Sequence, residues 1–403
     1  MTVRTVPLGE VAEFVRGITF KPTDVVPPGE AGSVICLRTK NVQTEVDLED
    51  LLAVPTKFVK RSEQYLQQGD VLISSANSWN LVGKCSWIPE LPWPSSFGGF
   101  VTALRPKSDS VDRRYLYRWF SYGRTQQLLR SFGRKTTNIS NLDLEQCREM
   151  GFPLPPIEEQ RRITAVLDAA DELRAKRRQA LAKLDTLTQA IFIDMFGDPL
   201  SPSSELGEAI LSGVASFVRG ITFKPDDVLD VPALGSVGVM RTTNVQSDLD
   251  TTDVWQIPDS FVKRGDQYLL PYDTLISSAN SWNLVGRCCV IPKELPRSTF
   301  GGFVTVLRPS GADLTPRYLH AWFSSPNVQT TVRSFGRKTT NISNLDLKQC
   351  GKLRIAVPPL SAQVEFEAHL DSVDASLGRH EASLGQLDTL FASLQQRAFQ
   401  GEL

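Results

Sequence analysis

Histidine is scarce in this chain. Its three copies, His320, His369 and His380, all fall in the last quarter of 403 residues, with no matching nucleophile pattern, so a histidine-based hydrolase is disfavoured. The six cysteines (Cys36, Cys85, Cys147, Cys288, Cys289, Cys350) form no C-x-x-C pair, which removes the usual signature of a zinc ribbon or a thioredoxin-like site. Reduced, mostly buried thiols are expected. No apolar run approaches the roughly 18 residues of a spanning helix, so no membrane association is expected. The opening, Met1 to Glu10, lacks the basic-then-apolar pattern of an export signal, and a cytoplasmic protein is the expectation. A P-loop is missing too: Gly83-Lys84-Cys85 has neither the upstream glycine nor the Ser/Thr. No Asn-Pro-Pro-aromatic motif of an amino-methyltransferase occurs, and the acids form no set at metal-ligand spacing. An enzyme acting alone would leave more trace, so a non-catalytic chain is expected. Charge of one sign is also lacking, with 44 Lys+Arg against 45 Asp+Glu, and a strongly basic nucleic-acid-binding composition does not apply.

What is present is one unit written twice. VAEFVRGITFKP at Val11–Pro22 returns as VASFVRGITFKP at Val214–Pro225 with 11 of 12 residues identical. ISSANSWNLVG at Ile73–Gly83 returns unchanged at Ile276–Gly286, and RSFGRKTTNISNLDL at Arg130–Leu144 returns unchanged at Arg333–Leu347. Every match is offset by 203 residues, so the copies align without net gap and fill the chain. A period this long is a duplicated domain, not a solenoid repeat.

Each copy divides in two. Its first part has short apolar or alternating runs bounded by Gly, Pro, Asn and Asp; Val71–Ser74, Phe100–Leu104, Thr274–Ser277 and Phe303–Leu307 read as strands. Arg113–Tyr122 reads as an amphipathic helix, and its counterpart opens on Thr315-Pro316, a cap followed by proline at the first helical position. Phe97-Gly-Gly-Phe100 reads as strand-start geometry. The second part is helical: residues from about Glu158 to Met195 contain no Pro or Gly. Val166, Ala170, Leu173, Leu184, Leu187 and Ile191, with Arg177 as a polar interruption, follow a heptad seam. In copy two the seam is Leu370, Val373, Leu377, Leu384, Leu387, Phe391 and Leu394, interrupted by His380. The fold expected is mixed α/β (α+β): two duplicated strand-rich globular domains, 1–154 and 200–357, and two long helices, 155–199 and 358–403, packed as an antiparallel coiled coil about a pseudo-twofold axis. The alternative is that each helix folds back on its own domain. Net charge follows this division, +3 and +2 for residues 1–150 and 201–356 against −1 and −5 for 151–200 and 357–403.

Local clusters carry more than the total. Arg130, Arg134, Lys135, Thr136 and Thr137 surround Gly133, which lets the backbone approach a partner closely; cations neutralise phosphates and hydroxyls add positioning bonds. Arg333, Arg337, Lys338, Thr339 and Thr340 repeat the set. The competing reading is a solvated loop capping a helix that starts near Ser140. Asn77, Ser78, Trp79, Asn80 and Lys84, repeated as Asn280, Ser281, Trp282, Asn283 and Arg287, offer amides suited to adenine edges and an indole that could lie along a groove, unless the Trp simply tucks into the core. Arg38, Lys40 and Asn41, against Arg241, Thr243 and Asn244, carry hydrogen-bonding groups suited to base edges, and Lys40 against Thr243 is one of few differences between the polar loops. Arg16 with Lys21, and Arg219 with Lys224, form a further basic turn, suited to phosphate contact or to turn chemistry alone.

Several strings together resemble the specificity subunit of Type I restriction–modification systems: Gly69-Asp-Val-Leu-Ile73 leading to Gly83-Lys84, then Asn138-Ile-Ser-Asn-Leu-Asp-Leu144, Phe152-Pro-Leu-Pro-Pro-Ile-Glu-Glu-Gln-Arg-Arg-Ile163, Phe196-Gly-Asp-Pro199 and the ending Leu394–Leu403. The resemblance covers the whole chain; copy two departs from it at Tyr272-Asp273 and at Leu-Ser-Ala-Gln363. It implies that each globular domain reads one half of a split double-stranded DNA target. The helices would set the unread spacer and dock two modification subunits, which bind S-adenosylmethionine and methylate adenine. A restriction (motor-nuclease) subunit using ATP and Mg²⁺ would join for cleavage, and this chain would bind no cofactor itself. The two near-copies lead us to expect near-identical, inverted half-sites. The alternative is a DNA-binding adaptor for another methylase or nuclease complex.

Overall fold

A computed structural model describes residues 4–135, 139–202, 206–338 and 342–403; the side chains of Lys135, Asp185 and Pro202 are not described. The chain forms two compact units, one of residues 1–178 with 383–403, the other of residues 179–382.

The first unit is built on a four-stranded antiparallel sheet in the order Ala12–Arg16, Val101–Pro106, Val71–Ser74, Cys85–Trp87. Successive strand residues face opposite sides, and the central strand shows the consequence. Val71 and Ile73 point to the helix Arg113–Phe120, packing with Tyr115, Leu116, Trp119 and Phe120. Leu72 points the other way, into a cluster with Leu37, Phe97 and Ala103. That second face is covered by a three-stranded sheet, Leu52–Pro55, Ser33–Leu37 and Ser95–Phe97, whose last pair is parallel. Ser121-Tyr122 separates the first short helix from the next, Gly123–Ser131.

Both long helices complete this unit's core. Ile163, Leu167 and Ala170 of Ile157–Phe196 join it, as do Phe391 and Ala398 of Leu360–Gln400. Here the helices run antiparallel: Arg174 donates to Asp388 at 2.6 Å and Arg162 to the main-chain oxygen of Leu403 at 2.6 Å. Gln160, fully buried, explains the Pro-Leu-Pro-Pro-x-x-x-Gln join. Its amide donates to the carbonyls of Ser110 and Pro155 at 2.9 and 2.8 Å and accepts from Asp112 N–H at 2.8 Å. One side chain therefore saturates three main-chain groups and fixes the helix start on the globular part.

The second unit repeats the plan. Its sheet runs Ala215–Arg219, Val304–Pro309, Thr274–Ser277, Cys288–Val290, and its helices are Pro316–Ser324 and Pro326–Ser334. The Thr315 side chain accepts from Tyr318 N–H, as its cap position predicts. Phe192 and Phe196 of the first long helix meet Phe366 of the second, with ring centroids 5.7 and 5.5 Å apart. Gln363 repeats the amide clamp on Asp313, Pro358 and Thr315.

The fold class is as expected, but the seam needs correction at two places. In the first helix the buried stripe is Ile163, Leu167 and Ala170, followed by half-buried Arg174, so of the expected seam only Ala170 is fully buried there; Leu173 is 53% exposed and Leu187 is exposed too. Facing a sheet-backed domain as well as a partner helix turns the buried face away from the simple heptad line. Val166, Leu184, Ile191, Leu377, Leu384, Leu387 and Leu394 are half-buried, whereas Leu370, Val373 and Phe391 are buried. No helix among the described residues is long and apolar enough to cross a membrane.

Candidate nucleic-acid interface

The polar strings separated by up to 120 residues lie on adjoining segments in each unit. In the first, the Arg16-Gly17 turn is pressed onto the Phe97-Gly98 backbone: a Cβ at Gly17 would come within 2.3 Å of both carbonyl oxygens, so only glycine fits. Ile18 N–H donates to Phe97 O at 2.7 Å, and Gly98 N–H to Leu37 O at 2.9 Å, which brings the Arg38 loop alongside. Ser75 and Ala76 N–H both donate to Phe100 O, at 3.0 and 3.1 Å. The strand Ala76–Asn77 pairs with Ser140–Leu142, which pairs with Gly133–Lys135. Gly133 lies against Trp79, so close that a Cβ there would stand 3.2 Å from the indole. Lys84 Nζ donates to Gln43 Oε1 at 2.5 Å, joining the remaining two loops. The second unit reproduces these contacts, with Arg287 donating to Gln246 at 2.5 Å and Lys338 4.9 Å from the Trp282 ring centroid.

On this surface Arg16, Lys21, Ser78, Trp79, Asn80, Arg130 and Arg134 are exposed, as are Arg219, Lys224, Ser281, Trp282, Asn283, Arg333, Arg337 and Lys338. Lys84 and Arg287 are half-buried. Asn77 and Asn280 are half-buried and partly used within their loops, each donating to a serine hydroxyl (Ser74, Ser277) at 3.0 Å. Thr136, Thr137, Thr339 and Thr340, and the Lys135 side chain, lie outside the described residues.

Two candidates are corrected. Asn41 and Asn244 are buried, their amides spent inside the loop. Asn41 accepts from Arg38 N–H at 2.8 Å and donates to the carbonyls of Asp47 and Asp50 at 2.9 and 3.3 Å; Asn244 does the same with Arg241, Asp250 and Asp253. They shape the loop that presents Arg38 and Arg241 and have no free group for a base. The helix expected near Ser140 begins instead at Leu144, capped by Asp143, and Ser140–Leu142 is a strand. Asp143 also ion-pairs with exposed Arg134. Burial would raise this carboxyl, but bonds from Gln146 and the Arg134 guanidinium outweigh it and hold it below the usual range. Asp346 is likewise lowered, first by the main-chain bond from Gln349 and then by Arg337.

Reasoning from sequence missed Asp50, Leu52 and Phe100 and their counterparts Asp253, Trp255 and Phe303. Each borders the Arg38 or Arg241 loop. Their only sequence signal is the 203-residue alignment, which sets Trp255 against Leu52. Among the described residues no group of three or more His, Cys, Asp or Glu is placed to hold a metal ion.

Residues 2–184 match the family model for the Type I restriction modification DNA specificity domain. The Type I restriction enzyme EcoKI specificity subunit of Escherichia coli K12 is 22% identical over 98% of this chain and 88% of its own length. The StySPI specificity subunit of Salmonella potsdam is 27% identical over 99% of this chain and 89% of its own. Among solved structures, a chain from work on complex assembly and conformational transition of the type I R-M system superposes with a TM-score of 0.60, at 17% identity, covering 100% of this chain and 98% of that one. The Type-I restriction-modification system S subunit from M. genitalium gives 0.54 at 14% identity, covering 99% and 96%. The family match falls on the first copy, the 203-residue repeat carries its strings into the second, and the relatives align from end to end: along its whole length the chain is similar to the specificity subunits of Type I restriction–modification systems.

Proposed function

We propose that this chain is the sequence-specific DNA-recognition subunit of a Type I restriction–modification complex, supplying the address while partner subunits supply the chemistry. The observation that carries this is the duplicated surface: cations, amides and an exposed indole, drawn from four separate strings, adjoin on each unit in matching arrangement. Arg and Lys on such a surface neutralise phosphates, and amide and guanidinium groups read base edges. Each unit takes one half of a bipartite duplex target. The half-sites are near-identical, because the surfaces are, and inverted, in keeping with the antiparallel helix pairing seen in the first unit. The long helices set the spacer and dock two modification subunits, which carry S-adenosylmethionine; restriction subunits with ATP and Mg²⁺ join for cleavage.

The test is the adenine-methylation pattern, by long-read sequencing, of a methylation-free host expressing this chain with its cognate methyltransferase. A bipartite inverted motif that needs both proteins is expected. No motif, with the methyltransferase folded and bound to this chain, would replace this reading by that of an adaptor for another complex.

A further inference from the structure

Beside the Arg38 loop the first unit has an open pocket of about 760 Å³, walled by Ile18, Phe20, Leu52, Gly99 and Phe100. The second unit has the same pocket at about 470 Å³, walled by Ile221, Phe223, Trp255, Gly302 and Phe303. At its lip the Gly-Gly-Phe turn holds a phenylalanine out to solvent, Phe100 62% and Phe303 63% exposed. Burying such a ring would be favourable, so the turn carries an apolar contact for something that docks there. At the mouth stand Arg38 and Arg241, and in both the Nε–H is buried with no hydrogen-bond partner.

The pocket walls are identical in the two units except at Leu52 against Trp255, and of the seven differences in the adjacent loop one, Lys40 against Thr243, reaches the Asp50 carboxylate. Those two differences act on the same arginine. In the first unit Lys40 takes the Asp50 carboxylate; Arg38 keeps the Asp50 main-chain oxygen at 3.2 Å and lies 3.6 Å from the carboxylate, with its side chain 33% exposed. In the second unit Thr243 makes no such claim. Arg241 therefore holds the Asp253 carboxylate at 2.6 Å, lies 3.8 Å from the Trp255 ring centroid, and is 17% exposed.

Building on the DNA-recognition reading, we propose that this pocket mouth sets the two half-sites apart. Arg38 presents its fork to a guanine edge in the first half-site, where O6 and N7 match it, while Arg241 is clamped between Asp253 and Trp255 and withheld. The half-sites are then alike except at the base pair facing this pocket. Phe100 and Phe303 pack against the duplex in both.

The experiment uses the full-length chain with its modification subunits, again reading methylated adenines genome-wide. The wild type should show half-sites that differ at one pair, with guanine preferred in one of them. The double variant Lys40→Thr, Leu52→Trp should lower that preference about 5- to 150-fold, the range of one bidentate contact, and make the motif symmetrical. The reciprocal Thr243→Lys, Trp255→Leu should instead create the preference in the other half, and it carries the test if the first variant melts early. A wild-type motif symmetrical at every pair, or swaps that leave the motif unchanged, would overturn the proposal. So would an Arg38→Ala variant that weakens methylation equally at all sequences, the mark of a phosphate contact. Absence of any bipartite motif in the wild type would instead overturn the recognition reading on which it rests.

Discussion

Each unit holds a long helix to its globular part through two carboxylates one turn apart, but the two units use different arginines. In the first, Arg118 is buried and pairs with Asp168 and, at 2.8 Å, with Asp171, while Arg114 adds a second bond to Asp168 at 3.0 Å. In the second, Ala321 stands where Arg118 would, and Arg317, the counterpart of Arg114, takes both Asp371 and Asp374 at 2.5 and 2.7 Å. His320 replaces Tyr117 in the same contact zone. The acidic helix face is shared and the cation that meets it has moved. What the fold requires here is a guanidinium between those carboxylates, and either of two positions on the facing helix, four residues apart, can deliver it.

The largest effect should come from the ion pair both units share in the core. Arg105 Nε and Nη2 donate to the fully buried Asp70 at 2.8 and 2.6 Å, and Arg308 meets Asp273 in the same way but is more exposed. Asp70→Asn leaves a buried guanidinium uncompensated and should cost the first unit about 3–5 kcal/mol. Asp273→Asn should cost the second unit less, because water reaches Arg308. Calorimetry of the two variants side by side would expose equal losses, which would contradict this reasoning.

The moved arginine gives the next contrast. Arg317→Ala removes every charge-assisted bond of its cluster and should destabilise the second unit by about 1.5–3 kcal/mol. Arg114→Ala, with Arg118 still in place, should cost the first less than about 1 kcal/mol. Urea midpoints for the pair of variants check the difference.

Acid should separate the units as well. Burial pushes the His320 imidazole down to about 4, and its Nδ1 lies 3.2 Å from the Thr274 hydroxyl. The unfolded chain takes up this proton near the ordinary value of 6.5 and the folded one does not. Stability linked to His320 is therefore complete above about pH 6.5, falls as pH drops toward 4, and is level below that. Tyr117 is driven the opposite way by burial, up to about 12, and stays neutral throughout. The second unit's melting temperature should fall faster between pH 7 and 4.5, and His320→Tyr should remove that excess. An unaltered acid profile in this variant would assign the loss elsewhere.

The smallest contrast concerns one backbone angle. Gly69 has φ +86, and a Cβ there would meet the Arg113 side chain at 2.7 Å, so Gly69→Ala should cost about 1–2 kcal/mol. Tyr272 occupies the same conformation at φ 63, where Pro316 and Val290 replace Arg113 and Trp87, and its ring gains Arg317 at 5.1 Å. Tyr272→Gly should change stability by less than about 1 kcal/mol, strain relief offsetting the lost contact. Thermal scans of both variants would reveal the asymmetry.

The same comparison shows what could be read from the sequence. The repeat, the strands at Val71–Ser74 and Thr274–Ser277, the helix start at Thr315-Pro316 and the extent of the first long helix all follow from local pattern, and the structure carries each of them. Three features are hidden because their partners are remote or on the other side of a loop. Asn41 has the composition of a base reader, yet its carbonyl partners, six and nine residues away, consume it. The Ile163–Leu167–Ala170 stripe is chosen by packing on a globular core, a demand absent from the heptad. Phe100 reads as part of a strand start, and only the turn geometry holds its ring outward. The family strings around Gln160 are visible without their reason, which is the three main-chain groups its amide satisfies.

The first unit's core contains Phe391 and Ala398, supplied by the second long helix, whereas the second unit is one unbroken stretch, 179–382. On the ribosome the usual order is then reversed. The half synthesised first cannot close its core until residues 391 and 398 have been made, by which time the whole stretch of the other half has already been synthesised. A premature stop near residue 383 would accordingly spare the later-made half and leave the earlier one unfinished.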